Sequence, residues 1–318
     1  MPEPSRASRR VLDLVAERQA ARQARDFARA DALRDQVLAA GWLIRDTPAG
    51  PELTEAPAWE AVDPAGLAPC WDEPDRHLVS VIVHVTGWPE DVARAAATLA
   101  SHCAGVDYEV LLLDDGAGDQ AARALEELAK ADPRVRALHF DPAVGFGAAM
   151  GLGMSQATGR VLVWLDPHVE ATGDLLTPLV EALGEPGVGL AGGWGVVSHS
   201  MLDFEAHDGP EVDAIEGYLL AVPRSLAAQV ELDPRHRYYR NADLDYSFAV
   251  RALGGPLRAL RVPVPARRHR HRAYHETDPV ARERASKRNY DRFLGRWKAR
   301  TDLLTQGFTG YHRHPPHR

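Results

Sequence analysis

The spacing of hydrophobic and polar positions divides the chain into three textures. Residues 8 to about 40 carry apolar side chains at three- and four-residue steps: Val11, Leu14 and Val15, then Phe27, Ala30, Leu33 and Val37. That spacing predicts amphipathic helix, with Asp26 placed to start a second helix and Gly41 to stop it. Residues 47–77 lose all periodicity, and prolines at 48, 51, 57, 64, 69 and 74 mark a linker or an extended wrap. From Leu78 onward, short β-branched runs alternate with helical stretches. Strands are expected at Leu78–Val85, Tyr108–Leu113, Val135–Phe140 and Arg160–Leu165, and helices at Pro89–Ser101, Gln120–Ala131 and Gly145–Ala157. A later helix, 278–300, carries Tyr290, Phe293, Leu294 and Trp297 on one stripe and reads as packing.

Strands alternating with helices of this length predict an α/β fold, a mostly parallel sheet with helices on both faces. Ligands in such sheets lie outside the carboxyl ends of the strands. The candidate residues are therefore the polar ones where strands stop. The first strand ends at His84-Val-Thr86, the second at Asp114 and Asp115 before Gly116, and the fourth at Asp166-Pro-His168. Asp-Asp-Gly after a strand is also ordinary turn and cap chemistry, and His84 equally suits a core position. In an extended segment Asp166 and His168 would face one side. A carboxylate and an imidazole so placed can hold a divalent cation, which can neutralise a diphosphate leaving group. The other reading is a turn cap at Asp166 beside a solvated His168.

The length of 318 residues fits one medium domain plus an accessory piece. A net charge of −8 argues against a general nucleic-acid binder. Cys70 and Cys103 form no disulfide or metal-ligand pattern, which fits a reducing compartment. The N-terminus lacks the apolar core of a signal peptide, and no apolar run approaches the roughly 18–20 residues of a membrane span. A soluble cytoplasmic protein is expected; peripheral contact with a membrane surface stays open, and the sequence says nothing of oligomeric state.

Two resemblances sharpen this picture. Ala24-Arg-Asp-Phe-Ala-Arg-Ala-Asp-Ala-Leu-Arg-Asp35, Gly41-Trp42 and Asp46-Thr-Pro-Ala-Gly-Pro51 resemble the C-terminal end of bacterial cysteinyl-tRNA synthetases. The mixed charge of this stretch favours a helical hairpin used for packing or partner contact over a tRNA-binding element. The stretch from Leu78 to about Arg300 resembles the family 2 glycosyltransferases, on Val81-Ile-Val-His-Val85, Leu113-Asp-Asp-Gly-Ala117, Val144-Gly-Phe-Gly-Ala-Ala149 and Leu165-Asp-Pro-His-Val-Glu170 in that order. Ile215-Glu-Gly-Tyr-Leu-Leu-Ala-Val-Pro-Arg224 and Tyr238-Tyr-Arg-Asn-Ala-Asp-Leu-Asp245 extend the match. The resemblance implies a GT-A fold over 78–300, beside a helical hairpin at 1–46, a Pro-rich linker at 47–77 and a disordered His-rich tail at 301–318.

The same resemblance implies a hexosyl or related transfer from a nucleoside diphosphate sugar to a hydroxyl acceptor, inverting and metal-assisted. His84, Thr86, Asp114 and Asp115 would hold the nucleoside, with Gly145 and Asp166 also at the donor. Asp166, His168 and a later histidine, His271 in preference to His269, would hold Mn2+ or Mg2+. Asp243 would be the general base; its other reading is a cap or pairing residue on a helix, and Asp245 is expected to pair or to touch the acceptor. Arginines among Arg267-Arg-His-Arg-His-Arg272 suit a diphosphate or an anionic acceptor. Several family positions differ: Ala143 and Gly151 replace asparagines, Met150 an arginine, Ala242 a glutamate and His168 a carboxylate. These departures keep an alternative in play, a catalytically degenerate GT-A module that binds a nucleotide or a partner.

Overall fold

The structure, a computed structural model, describes residues 7–47, 50–56 and 59–311. It falls into two compact units, Met1–Glu60 and Ala61–Arg318.

In the first unit, α1 (Arg9–Gln23) and α2 (Phe27–Ala39) start at caps where the Ser8 and Asp26 side chains accept N–H groups of Val11 and Arg29. Val11, Val15 and Val37 pack with Trp42, Ile44 and Leu53. Those last three lie on an antiparallel hairpin, β1 (Trp42–Thr47) and β2 (Gly50–Glu55). The expected linker therefore begins later than residue 47. Its prolines misled because a two-stranded ribbon has only edge strands, which tolerate Pro51. Buried Arg18 on α1 gives two bonds of 2.9 Å to the Asp46 carboxylate on β1. Phe27, expected on the inner stripe, is exposed.

The second unit opens with an ordered strap rather than a free linker. The Val62 amide donates to the His139 carbonyl, Cys70 to Ser155 and Arg76 to Thr158, and Arg224 reaches the carbonyls of Cys70 and Glu73. The α/β body follows as β3 (His77–Val85), α3 (Pro89–His102), β4 (Tyr108–Asp115), α4 (Asp119–Ala131), β5 (Val135–Phe140), α5 (Phe146–Ser155), β6 (Gly159–Leu165), β7 (Val169–Ala171) and α6 (Leu176–Leu183). Then come β8 (Val188–Gly192), β9 (Gly195–Val197), β10 (Glu205–Ala206), β11 (Glu211–Val212), β12 (Ala214–Ile215), β13 (Leu219–Pro223) and α7 (Arg224–Ala227). The unit closes with α8 (Ala242–Arg251), β14 (Arg258–Arg261), β15 (Ala266–Arg268), α9 (Arg272–Glu276) and α10 (Pro279–Trp297). The first four strands of this unit lie within two residues of where the hydrophobic pattern puts them.

The main sheet has eight strands in the order β11-β14-β8-β13-β6-β3-β4-β5. β6, β3, β4 and β5 are parallel, while β13 runs antiparallel between β6 and β8. Alternation along β3 sends Val79, Val81, Val83 and Val85 into the layer of α3, α4 and α6. Ile82 points into the opposite layer, with α5, α8 and α10. There Phe293 and Trp297 of α10 are buried, as its stripe implies. The tail begins later than expected: Leu303 and Leu304 are buried, and Thr305 bonds to Asp213. Residues 312–318, with most of the His-rich segment, lie outside the described residues. No helix among the described residues is long and apolar enough to cross a membrane.

Candidate functional site

A cavity of about 360 Å3 opens at the carboxyl ends of β3, β4 and β6, a size that suits a small ligand. His84, Thr86 and Trp88 line it from the end of β3, Asp115 from β4, and Asp166 and His168 from the end of β6. Phe146, Tyr239 and His271 close the other side.

Asp166 is the hub. The chain turns sharply after β6, and the His168 amide donates to Asp166 Oδ1 at 2.8 Å. Asp166 and His168 thus converge through a tight turn and not, as expected, through strand alternation. His168 Nδ1 lies 2.7 Å from Asp166 Oδ1, and His271 Nε2 lies 2.9 Å from Oδ2. The two imidazoles stack with centroids 4.5 Å apart. One ligand atom from each of the three residues lies within 4.8 Å of the others, a group that can hold a metal ion. Burial opposes ionisation of Asp166, but the hydrogen bonds from His168 and His271 prevail and hold its carboxyl well below the usual carboxylate range.

Asp115 is tied down from three directions. Val144 and Gly145, at the start of α5, donate their amides to it at 2.7 and 3.0 Å, and His84 Nε2 lies 2.9 Å away. Burial raises its carboxyl, yet the His84 contact and the two amides draw it below the ordinary range. Gly145 permits this: its φ is +90°, and a Cβ there would sit 3.1 Å from the Arg237 Cα. Gly145 therefore shapes this cavity through Asp115 instead of lining it.

A second cavity, of about 570 Å3, shares Tyr239 and His271 with the first. Glu216, Arg240, Asp243 and Arg268 line it. Asp243, at the start of α8, accepts the Gly217 amide at 2.7 Å and the Leu244 amide at 2.9 Å. Burial pushes its carboxyl up despite those bonds, and burial also raises Glu216. The Arg268 guanidinium lies 4.7 Å from the ring centres of both Trp194 and Tyr218.

Sequence comparison decides the family. The glycosyl transferase family 2 model matches residues 80–241, just over half of the chain. The chain belongs to glycosyltransferase family 2. The undecaprenyl-phosphate 4-deoxy-4-formamido-L-arabinose transferase of Klebsiella pneumoniae (strain 342) is 32% identical over 115 residues, 35% of each chain. The cysteine–tRNA ligase of Rhodospirillum rubrum is 61% identical over 41 residues, 13% of this chain and 9% of the ligase. The chain thus spans only a minor part of either relative. In fold it matches the crystal structure of GalNAc-T7 with UDP, GalNAc and Mn2+, with a TM-score of 0.56 at 16% identity, over 70% of this chain and 48% of that one.

Besides Gly145, a further residue expected at the cavity lies elsewhere in this family 2 fold. Asp114 does not face the cavity. It pairs in register with Val85 and His139, so alternation turns it toward the α3–α4 layer. There it caps the Ala117 amide at 2.8 Å and meets His139 Nδ1 at 2.7 Å, while Glu126 takes the other ring nitrogen. Asp245 is likewise internal, bound by the Trp297 indole N–H at 2.7 Å. His269 turns away to Glu170, which leaves His271 beside Asp166. Sequence reasoning missed Trp88, Asp91 and Tyr239. Trp88 and Asp91 follow the first strand in Gly87-Trp-Pro-Glu-Asp91, so the strand-end rule itself pointed at them.

Proposed function

We propose that this family 2 member transfers a sugar from a nucleoside diphosphate sugar to a hydroxyl acceptor, with inversion and with a divalent cation. One observation carries the reading. Two cavities meet at Tyr239 and His271, with Asp166, His168 and His271 on one side and the half-buried Asp243 carboxylate on the other.

The trio fits a cation. In this structure the two imidazoles hydrogen-bond to Asp166 at 2.7 and 2.9 Å, and a bound ion would take the place of those ring hydrogens, with the carboxylate and one nitrogen of each ring as its ligands. Two imidazoles and one carboxylate suit Mn2+ better than Mg2+. When bound, the cation neutralises charge on the diphosphate. The protein does the rest. His84, Thr86 and Asp115 frame the nucleoside end, and the aromatic edges of Phe146 and Tyr239 exclude water. In the second cavity the acceptor oxygen bonds to the anomeric carbon as the bond from that carbon to the diphosphate oxygen breaks. The hydroxyl proton passes to an Asp243 oxygen, and the electron pair leaves on the nucleoside diphosphate. A carboxyl whose proton affinity is raised by burial is better matched to this task than an exposed one.

The test is to incubate the full chain with UDP- and GDP-sugars in Mn2+ or in EDTA, following nucleotide release. Mn2+-dependent release is expected. A folded protein that neither binds nor cleaves any nucleotide sugar overturns the proposal. Binding of UDP or GDP without turnover replaces it with the nucleotide-binding module.

A further inference from the structure

His168 stands where the family pattern has a carboxylate, and an imidazole brings a requirement that a carboxylate does not. A neutral ring can offer only one nitrogen as a ligand, and its other nitrogen then carries a hydrogen that needs an acceptor. In the structure the Arg272 amide donates to His168 Nε2 at 3.0 Å, so the ring hydrogen sits on Nδ1 and points at Asp166. To face an ion, Nδ1 must present its lone pair, and the hydrogen must move to Nε2. The Arg272 N–H cannot accept it.

Asp91 can. It lies on the first turn of α3, almost wholly buried at 1% exposure, and lines the donor cavity. Its Oδ1 is 2.6 Å from the Arg94 guanidinium. Its Oδ2 makes no hydrogen bond, although Arg272 Nε is 3.2 Å away in poor alignment. A buried carboxylate oxygen that has an ion pair but no hydrogen bond is under-satisfied, and that calls for a reason. That oxygen is 3.6 Å from His168 Nε2. A shift of about 0.7 Å would make it a normal hydrogen bond.

Given the metal reading above, we propose that Asp91 is the positioning residue for His168 in the cation-loaded site, its Oδ2 accepting the Nε2 hydrogen once Nδ1 faces the ion. The swap releases the Arg272 amide at the start of α9. Asp91 touches neither ion nor sugar; it sets the ring nitrogen that does.

The experiment titrates the full chain with Mn2+, alone and with UDP or GDP, reading free Mn2+ by electron paramagnetic resonance. Asp91→Ala is expected to weaken Mn2+ binding about 10- to 100-fold with the fold retained by circular dichroism. Asp91→Asn keeps an oxygen acceptor and is expected to fall between that variant and wild type; it carries the test if the alanine variant does not fold. A second readout is independent of activity. With Zn2+ as a diamagnetic probe, 15N NMR of the imidazoles should show the His168 hydrogen on Nε2, and on Nδ1 without metal. Mn2+ affinity within about twofold of wild type in folded Asp91 variants, or a His168 hydrogen that stays on Nδ1 with Zn2+ bound, overturns the role of Asp91 alone. A wild-type chain that binds neither metal with any nucleotide overturns the metal reading and this role together.

Discussion

Replacing Asp243 with asparagine separates chemistry from architecture. The carboxylate has two jobs in the structure. It accepts the Gly217 and Leu244 amides at 2.7 and 2.9 Å, and it presents a basic oxygen to the second cavity. The amide keeps one acceptor oxygen, so one of those two N–H groups would face an NH2. Leaving a buried donor unsatisfied costs about 1–3 kcal/mol. That loss is partly offset, because a neutral amide avoids the burial penalty that raises the Asp243 carboxyl. The net change in stability should therefore be small. Catalysis should change far more, since a general base contributes on the order of 10²- to 10⁴-fold. This corresponds to about 2.7–5.4 kcal/mol of barrier. Donor affinity should hold, because Asp243 lines only the second cavity.

The pH profile supplies the signature. As the proposed base, Asp243 would act ionised, so wild-type kcat should fall as pH drops through an apparent value above the ordinary carboxylate range. The variant should lose that limb. The stability sign is opposite: the folded state holds this proton more tightly than the unfolded one, so Asp243 favours the fold at low pH. That contribution is lost as pH rises through its raised value. The assay is nucleotide release at saturating donor and acceptor from pH 4 to 9, beside thermal melts. An Asp243→Asn enzyme that keeps kcat within about threefold refutes the base assignment. If Glu216→Gln abolishes turnover instead, the base is Glu216, the other half-buried carboxylate of that cavity.

Two further outcomes follow from the geometry. Asp114→Ala removes the partner of His139 and the cap of the Ala117 amide, and should lower stability by about 1–3 kcal/mol while leaving nucleotide affinity intact; weaker UDP or GDP binding at an unchanged melting temperature would contradict its inward orientation. Gly145→Ala forces a side chain into a left-handed backbone against Arg237 and should both destabilise the protein, by about 1–3 kcal/mol, and loosen the His84–Asp115 corner, weakening nucleotide binding as read by calorimetry.

The strands and helices of the larger unit were legible because period-2 and period-3.6 hydrophobicity are imposed by burial on each element separately. The strand-end rule then located the cavity, and the ordered motifs carried the family. Asp166, His168 and His271 could be named as candidates from residue type and order. Their convergence was not legible, since it depends on an Asp166 turn and on the 266–272 segment folding back across a gap of about 100 residues. The direction of Asp114 was set by its pairing with His139, which no local pattern contains. The hairpin at 42–55 was hidden because prolines read as breakers unless one knows which strands are edges. Nothing in the pattern singled out Asp91; only the three-dimensional arrangement of Arg94, Arg272 and His168 around it leaves one of its oxygens buried without a hydrogen bond. The sequence by itself determined the layered α/β body and the residue types at its strand ends. Tertiary structure alone decided which of those residues meet, because hydrogen-bond direction and burial are properties of neighbours that the linear order does not specify.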